Sequence, residues 1–384
     1  MKSSKRSLLL FLAAVFFCAY SLTDSSISAA QRKRPVPKST SAKPQPSPTP
    51  KSGLDAVGAP PPVPTLRRRE QREPQEVNPG DVISVTTTEV MIPVTVRDDS
   101  GRLMSNLTRD DFKVFEDGRQ QPLADLALRQ VPVDVVLMVD ASSSVANNLD
   151  DFRRAAEAFA GKLAADDRIS LIKFDDQVEV LQDWTKSRFQ LHRALTRLEP
   201  GMFTRFNDAL YLASHDQFVT SKSRRAVIVL TDGIDSGRGA TTLEGALQEL
   251  LRAQVTVYVV SNTEISRQAK RAELDALMGG SDSAVRFNQL HIDDLKQGLS
   301  VLDISEQNLA QVTAATGGRL YKPQSFAALD STYAEVADEL RHQYGLYYSP
   351  LNKARDGSFR RVRVDMTNPL LHALTRVGYF APKS

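Results

Sequence analysis

The stretch Val133-Asp-Val-Val-Leu-Met-Val-Asp-Ala-Ser-Ser-Ser144 opens with six apolar residues in seven. It ends in Asp140, Ser142 and Ser144, three small oxygen-bearing side chains at a spacing of two. A Val-rich run of this length predicts a strand buried on both faces, as in a parallel sheet covered by helices. In an open α/β sheet the carboxyl end of such a strand faces the crevice where ligands bind. A carboxylate followed by hydroxyls at that point is a set of hard oxygen donors. Taken alone it reads equally well as a Ser-rich turn that caps the next helix.

Two later segments bear on that choice. Gly201-Met-Phe-Thr204-Arg-Phe-Asn-Asp208 places a loop hydroxyl just before a helical pattern, and Arg225-Ala-Val-Ile-Val-Leu-Thr-Asp232-Gly is a second buried strand ending in Asp-Gly. Asp140, Ser142, Ser144, Thr204 and Asp232 resemble, in order, the metal-ion-dependent adhesion site of von Willebrand factor type A domains. That family's pattern is Asp-x-Ser-x-Ser, a loop Thr, and a strand-end Asp before Gly. Val145 and the pair Met202-Phe203 depart from the usual neighbours without removing a ligand, and Phe203 is expected to narrow access to the ion.

The resemblance implies that Ser142, Ser144 and Thr204 bind a divalent cation through their hydroxyls, with Asp140 and Asp232 holding bound waters or one inner position. Asp208, four residues after the loop Thr, is expected to stand behind the ligands without bonding the ion. Oxygen donors in a six-coordinate site indicate Mg²⁺, with Mn²⁺ or Ca²⁺ as substitutes. Neutral hydroxyls leave much of the ion's charge uncompensated, so an Asp or Glu of a protein partner completes the shell. The expected function is a non-catalytic binding or adhesion module. The alternatives are a metal-dependent phosphoester hydrolase and an envelope scaffold with a structural metal. The hydrolase lacks the second acid of an aspartate-nucleophile site, and the five histidines (192, 215, 291, 342 and 372) show no zinc-type spacing. Trp184 and the tyrosines at 344, 347 and 348 read as core or strand residues.

Outward from this centre, amphipathic helical patterns alternate with strands: helices near Leu149–Leu163, Arg188–Leu198, Asn207–Val219, Leu243–Arg252, Arg267–Met278, Ser305–Thr316 and Tyr333–Gln343, with strands between them. This alternation predicts an α/β fold with a doubly wound, mostly parallel sheet. The polar stretch from Gly279 to Asp303 is expected to be a loop or solvated connection. No Gly-x-Gly-x-x-Gly follows a strand, so the common dinucleotide reading has no support. The segments 81–130 and 344–384 alternate with a period of two and are expected to pair into one antiparallel β module flanking an α/β domain over 131–343. Leu107–Gly118, Thr316-Gly-Gly-Arg-Leu-Tyr321, Tyr344–Pro350 and Gly378-Tyr-Phe380 also resemble a group of bacterial exported proteins with type A domains. The resemblance spans about residues 81–382. Asp98, Asp99, Asp110, Asp111, Glu116 and Asp117 lack the spacing of a calcium loop and read as turn and cap residues.

Lys2, Lys5 and Arg6 precede an apolar run from Leu8 to Tyr20, then Ser28-Ala-Ala30: the layout of a signal peptide over 1–30, with an uncleaved anchor as the alternative. Residues 31–80 hold twelve of the twenty prolines and read as an extended linker. Ten Lys or Arg against four acids there, with three against one in 1–30, make +8 before residue 81. The rest of a chain of net charge +3 is therefore −5. Basicity in the leader and tether argues against nucleic acid as a partner and leaves weak contact with anionic envelope polymers. Cys18, the one cysteine, lies in the leader. The expected location is secreted or periplasmic.

Overall fold

The computed structural model describes residues 89–128, 132–143, 145–221, 223–231 and 233–383, so the expected leader and linker lie outside the described residues. In chain order the strands β1 (Val90–Asp98), β2 (Phe112–Glu116), β3 (Arg119–Gln121) and β4 (Leu123–Leu128) come first. Then follow β5 (Val133–Asp140), α1 (Leu149–Lys162), β6 (Arg168–Phe174), β7 (Val178–Thr185), α2 (Arg188–Leu195), α3 (Phe206–Leu212) and β8 (Arg224–Thr231). The α/β part continues through α4 (Leu243–Arg252), β9 (Thr256–Ser261), α5 (Thr263–Met278), α6 (Asp282–Phe287), α7 (Gln289–Thr316), β10 (Leu320–Tyr321) and α8 (Leu329–Arg341). The chain closes with β11 (Tyr344–Tyr348), β12 (Phe359–Met366), β13 (Leu371–Thr375) and β14 (Gly378–Phe380).

β5 lies inside a six-stranded sheet of order β10-β9-β8-β5-β6-β7, parallel except for β7, which pairs antiparallel with β6. Every residue of β5 is buried. Because strand side chains alternate between faces, Val133, Val135, Leu137 and Val139 pack with α1, α2 and α8, while Val136 and Met138 pack with α3, α4 and α7. Burying each such side chain is worth about 1.5–3 kcal/mol. The apolar run of β5 thus organises two cores at once. From β5 the chain passes through α1 to β6 on one side and later returns through α2 and α3 to β8 on the other. The carboxyl end of β5 is therefore the topological switch point of the sheet.

The remaining strands form two four-stranded sheets, β13-β1-β11-β4 and β14-β12-β2-β3, which share one core that includes Ile92, Val94, Val114, Leu346, Tyr348 and Val364. Each sheet draws strands from both ends of the folded chain, since two or three short strands alone bury too little to stand. Asp98 accepts from the backbone of Ser100 and Arg102, and Asp111 from that of Thr108, so these acids hold turns and caps. Glu116 does not. It is buried in the module core, where one carboxylate oxygen accepts from both Tyr348 and Tyr379 at 2.8 Å.

The stretch expected as a loop, 279–303, is instead helical. α7 is 28 residues long, and its second half lies on the sheet, with Leu309 and Val312 in the core and Thr316 Oγ1 accepting from Val257 N at the amino end of β9. Ser305 and Leu309 are level with Gly233, just beyond the carboxyl end of β8. The fifteen steps from Leu290 to Ser305 therefore extend roughly 22 Å past that edge, at 1.5 Å per residue. α5 runs beside them: Arg267 binds Asp303 and Glu306, the Lys270 side chain lies at Gly298, and Glu273 meets His291. Beside these polar contacts the outer half of α7 buries Ile292, Leu295 and Leu302, a sparse apolar stripe at helical spacing. The helix expected over Asn207–Val219 also ends early, at Leu212, and passes into a π-helical turn over Ala213–Gln217.

Candidate functional site

Asp140 closes β5 and is fully buried. Its Oδ1 accepts from Ser142 N at 2.9 Å, which folds the loop back over the strand end, and its Oδ2 accepts from Thr231 Oγ1 at 2.6 Å. The same Thr231 oxygen accepts from Gly233 N at 2.8 Å. Gly233 has φ +71°, and a Cβ there would come within 2.5 Å of Leu309 and 2.6 Å of Ser305, so both backbone and space require glycine. Ser142 is buried with its loop.

The Thr204 loop is brought to the same place by the chain around it. Gly201 N donates to Ala141 O at 2.8 Å, and Ser143 Oγ donates to Met202 O at 3.1 Å. A Cβ on Gly201 would collide with Asp175 at 2.7 Å, so the close approach of the two loops depends on this glycine. The carboxylate of Asp176 accepts from Met202 N at 2.9 Å and Phe203 N at 3.2 Å. Thr204 is 6% exposed, and its carbonyl accepts from Ser236 N at 2.9 Å and Ser236 Oγ at 2.8 Å. Asp235 Oδ2 accepts from Asn207 N in the first turn of α3. Each loop end is held by its neighbours before any ligand arrives.

Asp140, Ser142 and Thr204 are therefore on three-way braced loops at one end of the sheet. Ser144 and Asp232 lie outside the described residues. Asp208 Oδ1 accepts from Ala240 N at 3.0 Å and Thr241 N at 2.8 Å, so it holds the 240–241 turn. Phe203 does not lie bare across the entrance: the Arg238 guanidinium sits over its ring, 3.5 Å from the centroid. Thr231, Asp176, Asp235 and Ser236 belong to the site's frame and were not singled out from sequence. Nothing in their spacing separates them from ordinary turn residues.

Chemically, buried oxygen donors with few formal charges suit a small hard divalent cation, which needs oxygen partners and tolerates neutral ones. The histidines are elsewhere: His192 meets Glu157, His215 meets Asp216, His291 meets Glu273, His372 meets Asp99, and His342 bonds Asp338 O. Among the described residues no imidazole stands beside the Asp140 loop as a general base.

Residues 135–235 match the family model described as von Willebrand factor type A domain. The chain is 27% identical over 176 residues to the collagen alpha-1(VI) chain of Gallus gallus, a match covering 42% of this chain and 17% of that one. Among solved structures, the vWF domain of the type V pili tip protein Mfa5 from Porphyromonas gingivalis is 28% identical. It covers 27% of this chain and 39% of its own, with a TM-score of 0.26. Proximal thread matrix protein 1 from the mussel byssus, solved with a zinc-occupied MIDAS motif, is 15% identical with a TM-score of 0.41, covering 59% of this chain and 50% of its own.

Proposed function

We propose, from the match of residues 135–235 to the family model of the von Willebrand factor type A domain, that the protein is an exported, non-catalytic binding module. It captures a protein partner through a divalent cation held by Asp140, Ser142, Ser144, Thr204 and Asp232. The observation that carries this reading is the double engagement of Asp140, by Ser142 N on Oδ1 and Thr231 Oγ1 on Oδ2, which fixes the strand-end carboxylate at the switch point of the sheet, where the proposed site joins it to a cluster of hydroxyls. Such a cluster supplies coordination but little negative charge, so an Asp or Glu from outside is the natural last ligand. The family match and the likeness to a collagen chain fit a binding module. Mg²⁺ is the proposed ion, with Mn²⁺ or Ca²⁺ as substitutes. The chain's own residues hold the ion's place rigid, and the ion supplies the attraction for the partner's carboxylate.

The leader-like residues 1–30 and the Pro-rich 31–80 support export and a tether, with an α/β domain over 131–343 and β segments at 81–130 and 344–384. No helix among the described residues is long and apolar enough to cross a membrane. Titration calorimetry with Mg²⁺, Mn²⁺, Ca²⁺ and Zn²⁺ tests the metal: one ion per chain is expected, lost in Asp140→Ala. An ion that binds hundredfold above its Kd stabilises the fold by about 2.7 kcal/mol. A melting temperature unmoved by millimolar Mg²⁺, with no heat of binding, overturns the proposal.

A further inference from the structure

The rim of the site carries an exposed cation, Arg238. It forms no ion pair with a described carboxylate. Yet it is held from two directions. Its guanidinium lies 3.5 Å above the Phe203 ring, beside Thr204 in sequence. Two residues before it, Ser236 grips the Thr204 carbonyl, and Gly237 N, at φ +66°, donates to Asp235 Oδ1 at 2.7 Å. Phe203 is fixed in turn by its backbone bond to Asp176. An exposed arginine ordinarily keeps its rotamer freedom in solvent; this one is placed against the loop that presents Thr204.

Stacking on an aromatic ring occupies the face of a guanidinium and leaves its in-plane N–H groups available. Those groups match a carboxylate in a two-point hydrogen bond. The chain from residue 81 onward is net acidic at −5, the balance of +3 overall and +8 before residue 81, so Arg238 is a cation on a body of opposite net sign. We propose that Arg238, braced by Phe203, reads a second carboxylate in the bound partner, so that the site selects an acidic segment bearing two acids, one for the cation and one for Arg238. This rests on the metal-dependent reading above. Met202, 70% exposed and pinned through its backbone to Asp176 and Ser143, offers an apolar contact on the same rim.

The probes are hexapeptides with one aspartate and a glutamate one, two or three residues after it. They are compared with glutamine-for-glutamate and asparagine-for-aspartate versions, titrated by NMR against the full chain in Mg²⁺ or EDTA. At one spacing, glutamine for glutamate is expected to weaken binding about tenfold in the wild type. In Arg238→Ala it should have no effect, and Phe203→Ala should lose part of the discrimination. Arg238 is exposed, so its variant should keep the wild-type melting temperature and Mg²⁺ uptake. Equal preference for glutamate in wild type and Arg238→Ala, or no preference at any spacing, overturns the inference while the aspartate still binds through Mg²⁺. If no peptide binds in a Mg²⁺-dependent way, the metal reading falls, and this inference with it.

Discussion

Thr231 serves two partners with one oxygen, donating to Asp140 Oδ2 and accepting from Gly233 N. Its replacement by Val keeps the shape and removes both bonds, leaving a buried carboxylate oxygen and a backbone N–H each short of a partner. Thr231→Val is expected to cost about 1–3 kcal/mol, read by urea denaturation, and to weaken Mg²⁺ uptake because Asp140 is no longer aimed. Asp134, inside β5, makes a different residue-scale prediction. Burial pushes its carboxyl up, but hydrogen bonds from the Arg168 guanidinium, one at 2.8 Å from Nε, outweigh this and hold it below the ordinary 3.8. A depressed folded value means the pair's contribution is present above the unfolded pKa and lost as pH falls through the folded one. Glu306, held below 4.5 by Lys322 and Arg267 against the opposing effect of burial, adds in the same direction. Melting temperature should therefore fall as pH drops below about 4. Asp134→Asn should start lower at pH 7 and fall less steeply, and parallel curves would refute the assignment.

At the scale of elements, α7 is two helices in one. Its carboxyl half is core: Leu309 is buried beneath Gly233, and Leu309→Ala is expected to cost about 2–5 kcal/mol. Its amino half belongs to the arm, where Phe287 and Leu290 are 89% and 87% exposed. Phe287→Ser should leave the denaturation midpoint within about 0.5 kcal/mol of wild type, as surface changes do. A larger loss would mean that the arm's tip packs in solution. Hydrogen exchange should divide α7 in the same place, slow from Ser305 to Thr316 and fast before it, since the outer half has few buried contacts. Over 289–304 the buried apolar residues are Ile292, Leu295 and Leu302, which lie at helical spacing among mostly polar neighbours, so the helix was present in the sequence as a sparse stripe. The partner helix α5 buries only Thr263 and Arg267.

Across the molecule, the β module and the α/β part are joined by buried polar bonds. Arg97 on β1 reaches Glu339 on α8 at 2.5 Å, and Tyr321 on β10 donates to the same oxygen at 2.8 Å. Arg376, ahead of β14, donates to Met91 O and Gln254 Oε1. Glu339→Ala leaves both Arg97 and Tyr321 without their acceptor and is expected to cost about 3 kcal/mol or more. If the junction couples the two parts, calorimetry of the wild type shows one unfolding transition, and Glu339→Ala separates it into two. Two transitions already present in the wild type would show that the module folds independently.

The six apolar residues of Val133–Val139 and the period-two segments at both ends were enough to specify a doubly wound sheet with a flanking β module. Burial on two faces and burial on one leave different repeats in a sequence, and those repeats are local. The oxygen residues Asp140, Ser142 and Thr204 stood out only as an ordered set resembling a known metal-site pattern, because each alone reads equally well as a turn or helix cap. Their frame was not visible. Thr231, Asp176, Ser236 and Arg238 act through partners 26 to 91 residues away or across a ring face, and only the folded backbone brings such pairs within bonding distance. Glu116 and Glu339 belong to the same class: acids whose burial depends on tyrosines or an arginine arriving from more than two hundred residues away or from a neighbouring strand. Tertiary structure decided where those charges went, because the energy that makes a buried carboxylate tolerable resides in its partners and not in its own position along the chain.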